Sequence, residues 1–236
     1  LELNGDREQT ITMSGSDRCF GTLILNNTSA EGIYISDELN YKKLENTAGT
    51  KVTFSDGGVL GYTLNQDEII EGDFLLSGGD MDLNGHNLTV KGDFIQKGGT
   101  LNLNHGTLQI EKDYCLAKRK EKEDGSFTYE NTVAKLLMSN MDDCIIVGGD
   151  MHTALSDANS GSFLAGTVKL AGNIQLWNYT SLNLKKDLTL ILNGDKQQQF
   201  TFNYNRLNIG NVTIENEKGM LVTSGDQVNV RGDLST

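Results

Sequence analysis

The chain has 236 residues and is 37% hydrophobic but only 7% aromatic, so aliphatic side chains must build most of any core. Its formal charge of −12 argues against a nucleic-acid partner, and no run approaches the ~20 apolar residues of a bilayer-spanning helix. Glycine (27) and asparagine (23) are abundant and proline is absent, although about a dozen prolines are expected at average usage. Proline cannot donate to a β ladder, so its absence points to backbone that pairs almost everywhere.

The chain opens on Leu1-Glu2-Leu3-Asn4-Gly5-Asp6, mid-pattern and without a signal peptide, which suggests an excerpt of something longer. From residue 72 a 20-residue period sets in. Gly72-Asp73-Phe74 recurs as Gly92-Asp93-Phe94 and Lys112-Asp113-Tyr114, and Gly78-Gly79 maps onto Gly98-Gly99. Met81 maps onto Leu101, Leu83-Asn84 onto Leu103-Asn104, Leu88 onto Leu108 and Val90 onto Ile110, all without a gap. Within a unit, Met81 and Leu83 alternate with Asp82 and Asn84, and Leu88 and Val90 with Thr89 and Lys91. Such period-two bursts are strands, and the Gly-Gly, Asn-Gly and Gly-Asp pairs between them are turns. Each unit therefore holds about three short strands, and the fixed period predicts one coil per repeat. Stacked coils place Phe74, Phe94 and Tyr114 in one inner column and Asn84 and Asn104 in a corner ladder bonded along the axis. One such coil cannot bury its apolar face alone; its neighbours must do so.

Two stretches break the rhythm. Lys118 to Tyr129 is a charged excursion, its basic cluster Lys118–Lys122 interleaved with acids, and reads as a solvated loop and not a polyanion site. His152 to Ser162 is a small-residue loop. Between them, Thr132 to Met138 fits a short helix or, preferably, a strand before the next corner. Strand-into-corner patterns return at Cys144–Asp150, Thr167–Asn173 and Val228–Asp233.

A second repeat spans 189 residues. Leu190-Ile191-Leu192-Asn193-Gly194-Asp195 echoes residues 1–6. Gln198 matches Gln9, Thr201 matches Thr12, Gly210 matches Gly21, Val212 and Ile214 match Leu23 and Leu25, and Asn216 matches Asn27. With two residues dropped, Gly219 falls on Gly32. Residues 1–236 are thus expected to form one continuous solenoid, with the next higher-order unit starting near residue 190.

The run from Gly72 to Asp113 resembles the Gly-Asp-Phe, Gly-Gly-Thr-Leu and Leu-Asn-Gly repeats of very large secreted bacterial proteins. Met138–Asp150, Gly166–Asn173 and the Asn-Gly-Asp openings at Asn4 and Asn193 resemble further pieces of them. The resemblance implies a right-handed parallel β-helix on a bacterial cell surface, serving as stalk, adhesin or filament, and names no ligand.

The residues offer little catalytic chemistry. Asp80-Met81-Asp82-Leu83-Asn84-Gly85 opens like an EF-hand loop, but Lys91 stands where the bidentate Glu belongs, and the next coil replaces the acids with Thr100, Asn102 and Asn104. The Gly-Gly pairs do not extend to the calcium-binding nonapeptide of β-rolls. His86, His105 and His152 lack ligand spacing, so no metal or cofactor is expected. Asp56 and Asp142-Asp143 are the only candidates for a polysaccharide-cleaving pair, and no nucleophile motif stands out. Trp177 and Tyr179 could form a glycan-stacking platform or cap a core corner. Cys115 and Cys144 could pair, or all three cysteines, with Cys19, could be small core residues.

The expectation is an all-β fold, a right-handed parallel β-helix (β-solenoid) with three-sided coils of about 20 residues, roughly ten coils and on the order of 50 Å long. Its expected role is a non-enzymatic rod in an extracellular bacterial surface protein. Its partners would be adjacent repeat units, end to end, with a surface glycan or protein ligand as the rival reading and a polysaccharide-active enzyme behind that.

Overall fold

The computed structural model describes residues 1–12, 20–36, 41–46, 50–155, 163–177, 187–202, 207–223 and 228–236. Every element among them is a strand, and the strands wind into a β-solenoid of about 9 turns whose parallel coils lie about 22 residues apart. The expected 20-residue period holds over the gapless coils, whereas register partners lie 22 residues apart from Leu190 to Val212 and from Val212 to Leu234.

The coil that begins at residue 68 shows why these residues turn as they do. Glu68–Ile70 forms the first side, Phe74–Gly78 the second and Asp80–Asp82 the third. The chain then returns as Asn87–Val90 directly above the first. Inward residues are apolar and fully buried, as in Met81, Leu83, Leu88 and Val90, whereas the intervening residues face outward. Leu88 lies on Glu68 and under Leu108, Met81 under Leu101, and Phe94 between Phe74 and Tyr114. The sequence alignment of the three units is therefore the hydrogen-bond register itself.

The first side builds an eight-stranded parallel sheet from Glu68–Ile70 to Leu234–Ser235, and the second an eleven-stranded sheet from Gln9–Ile11 to Met220–Val222. The third side is a shorter sheet of Asp80–Asp82, Thr100–Asn102 and Lys135–Leu137. Residues 132–138 thus supply a strand, not a helix. The Phe74 and Phe94 rings stack at 5.3 Å, and Phe94 meets Tyr114 at 5.4 Å. The buried Tyr114 hydroxyl donates to Gln96 Oε1 (2.9 Å), and Gln96 Nε2 donates to the Lys135 carbonyl (2.7 Å), so the one phenol in this column has a partner.

Corners are as repetitive as the core. Asp73 Oδ1 accepts the Asp93 N–H, Asp93 that of Asp113, Asp113 that of Asp150, and Asp150 that of Asn173. At the opposite corner Asn84 and Asn104 adopt φ of 50° and 43°. They do bond along the axis, but to the Leu64 carbonyl and the Asp82 carboxylate and not to each other. Gly99 sits at φ +70°, where an added Cβ would lie 2.3 Å from the Gly79 carbonyl, so coil spacing here requires glycine.

One step interrupts the stack. Val52–Phe54 pairs antiparallel with Val59–Leu60, which slips register on its way to Phe74–Gly78. The interruption divides the interior into a cluster from Ile11 to Leu60 and a larger one from Leu64 to Val212.

Candidate functional site

The charged excursion is an ordered hairpin and not a loop. Lys118–Glu121 pairs antiparallel with Phe127–Glu130 around a turn in which Asp124 Oδ1 accepts the Ser126 N–H. It folds back over the outer face of the eleven-stranded sheet. Arg119 reaches Asp93 (2.6 Å) and lies 4.4 Å from the Phe127 ring centroid. Tyr129 stacks on His152 at 4.3 Å. Beneath it Cys115, Ala117 and Ala154 form a small apolar cluster with Ile95 and Tyr129 against it. Burial pushes the Cys115 thiol up to about 12 and the Tyr129 hydroxyl up to about 12. Burial also lowers the basicity of His152, against the raising influence of Asp113, Asp150 and its 3.1 Å bond to Gln175.

Beside the hairpin runs a groove of about 880 Å³. It is lined by Gly78, Gly79, Gly98 and Gly99, by Lys118 and Lys135, and by Asp56 and Lys97, which form an ion pair.

The remaining sequence candidates go to structural tasks. Asp143 is fully buried and accepts N–H bonds from His105, Ser139 and Asn140 at 2.7–2.9 Å. Exposed Asp142 bonds His105 Nδ1 (2.8 Å), which holds its carboxyl below the ordinary range. Asp56 pairs with Lys97 in a different coil, so the three carboxylates serve separate contacts. Asp82 spends its oxygens on the Asn84 N–H and the Asn102 and Asn104 amides. No cluster of three or more His, Cys, Asp or Glu that could hold a metal occurs among the described residues. His86 approaches Asp67 (3.6 Å), while His152 belongs to the strand Met151–Ala154, so the second expected insertion does not begin at His152. Residues 156–162 lie outside the described residues. So do Cys19, Tyr179 and the Trp177 side chain, although the Trp177 backbone closes the strand Ile174–Trp177. Cys115 and Cys144 are both free thiols on different sheets, Cys115 buried and Cys144 half-buried.

The hairpin, the feature that sequence reasoning missed, carried a partial signal: Asp124-Gly125 is turn chemistry, but of the two arms only Phe127-Thr128-Tyr129 alternates. No protein-family model, curated protein or solved structure matches the chain.

Proposed function

We propose that this chain is a segment of a stiff, non-enzymatic rod in an extracellular bacterial surface protein, whose length scales with the number of stacked coils. The observation that carries the reading is the eleven-stranded sheet, which runs from Gln9–Ile11 to Met220–Val222 and is parallel at every step but one. A ladder of backbone hydrogen bonds along one axis resists bending, and each coil lengthens it by ~4.8 Å. The corner acids and asparagines cap turns and bond between coils, as a scaffold requires. The cell-surface setting rests on the resemblance of the Gly-Asp-Phe and Gly-Gly repeats to those of large secreted bacterial proteins.

A second reading, a ligand-binding module, draws on the groove lined by Lys118, Lys135 and the Asp56–Lys97 pair. Both readings are tested by presenting the chain to a glycan array and incubating it with a panel of acidic and neutral polysaccharides. A structural segment retains none and cleaves none. Retention that disappears when Lys118–Glu130 is replaced by a short turn would overturn the rod in favour of the binding module. Turnover would overturn both in favour of an enzyme.

A further inference from the structure

The two segments that match in sequence, near residues 1–32 and 190–219, build the same corner. Gln9 Oε1 accepts the Gly5 N–H (3.1 Å) and the Asn27 amide (2.9 Å), and Gln198 Oε1 accepts the Gly194 N–H (3.0 Å) and the Asn216 amide (3.0 Å). The same Asn amides also donate to the Arg7 and Lys196 carbonyls. Register agrees as well: Leu3 pairs with Leu25 as Leu192 does with Ile214, and Gln9 pairs with Ile33 as Gln198 does with Met220.

What differs is the coil beneath. Asp187–Leu192 rests on Ala165–Leu170, and Gln198–Phe202 on Ile174–Trp177. There Gln198 Nε2 donates to the Leu170 and Gly172 carbonyls, the Asn193 N–H to Leu170, and the Gln199 N–H to Asn173 Oδ1. Glu2–Leu3 and Gln9–Ile11 have no strand beneath them among the described residues, and Gln9 Nε2 has no acceptor there. Leu1 is 53% exposed where Leu190 is 4% exposed. Glycine is telling too. A Cβ on Gly194 would lie 2.2 Å from the Ala171 carbonyl beneath it, whereas a Cβ on Gly5 meets only the flexible Gln9 side chain. Gly5 thus keeps a residue type whose steric reason exists only where a coil lies below.

We infer that the open edge Leu1–Ile11 is a seat for a second copy of this chain's own coil 165–177, so that copies joined at a pitch of 189 residues stack without a break. This rests on the rod reading and names its partner and phase. The seat predicts Val168 beside Leu1, Leu170 beside Leu3 and Ile174 beside Ile11, since their counterparts Leu190, Leu192 and Phe200 pair so within the chain. Outward, Lys169 pairs with Ile191 internally but would face Glu2 at the junction, an opposite-charge neighbour that favours this joint. At about 22 residues per coil, each copy adds about eight or nine coils, or on the order of 40 Å.

The test is a tandem in which residues 1–189 run directly into a second, full 236-residue copy. Hydrogen exchange is read at the Asn4 and Thr10 amides of the second copy, the counterparts of Asn193 and Gln199. A seated junction slows both on the order of a hundredfold relative to the single chain. Gly5→Ala in the second copy abolishes that gain, while Gly5→Ala in the first copy does not. Scattering from the same tandem shows one straight rod of unchanged cross-section. Equal exchange of these amides in tandem and single chain overturns the junction while leaving the rod role of each copy intact. Ligand retention or turnover overturns the rod role without changing the exchange.

Discussion

The gapless coils of residues 68–116 and the coil that follows them solve one geometric problem under different constraints. In the gapless coils 20 residues separate each corner aspartate from the next. Between Asp113 and Asp150 the separation is 37 residues. Even so, the Asp150 N–H donates to Asp113 at 2.8 Å, Met151 pairs with Tyr114, and Ile145 lies on Leu108. The extra residues leave the frame at a corner, form their own antiparallel pair and dock on the outside. Register is therefore set by the inward columns and corner carboxylates, and the chain between them can lengthen freely provided it re-enters in phase. The hairpin contributes a lid over Cys115; the stack beneath does not need it for its ladders.

This contrast predicts a steep gradient of mutational effect from column to hairpin. Phe94→Ala removes a fully buried ring between two others and should cost about 3–5 kcal/mol in denaturant unfolding. A loss below about 1 kcal/mol would mean that the column does not set the frame. Next comes Asp143→Ala, which strips three backbone N–H groups of a buried acceptor and should cost about 2–3 kcal/mol. Exposed Asp142→Ala serves as the near-neutral control, and equal effects from the two would contradict the assignment of Asp143 as the corner cap.

The same contrast explains what was legible in the sequence. The columns were, because an inward position in a solenoid admits few residue types, and Phe74, Phe94 and Tyr114 recur at a fixed spacing. Corners were legible in kind but not in partner: that Asn104 would bond Asp82 and not Asn84 depends on φ at both asparagines. The hairpin was read as a loop because only Phe127 and Tyr129 give it an apolar face, and the groups it packs on, Cys115 and His152, come from the sheet beneath. The register slip at Val59–Leu60 left no periodic mark either, since a break in a repeat looks like divergence. Trp177 and Tyr179 attracted attention as aromatics, while the amides with the most specific geometry, Gln9 and Gln198, are ordinary residues that only the 189-residue match singled out.

The hairpin offers the next smaller effect. Tyr129→Ala removes the ring that covers Cys115 and stacks on His152, yet touches no solenoid ladder. In a Cys19→Ser background, labelling of Cys115 should accelerate on the order of tenfold or more, with half-buried Cys144 as internal reference. Unfolding should shift by only about 1–2 kcal/mol. A collapse of the whole stack would show the lid to be part of the frame.

The smallest effect is a pH dependence located under the same lid. Burial holds His152 below its ordinary value of 6.5, so between that value and its folded one the unfolded chain binds more protons than the folded chain. Stability should then rise with pH through this window and fall as the solution is acidified below about 6.5, with a slope of at most about 1.4 kcal/mol per pH unit. Asp113 and Asp150 oppose the shift by attracting the proton, and Arg119 reinforces it. His152→Gln, measured beside the parent chain by denaturant midpoints from pH 7.5 to 5, should flatten the curve. If the slope persists in His152→Gln, the acid sensitivity belongs elsewhere in the stack and the Tyr129–His152 contact is not where the lid senses protons.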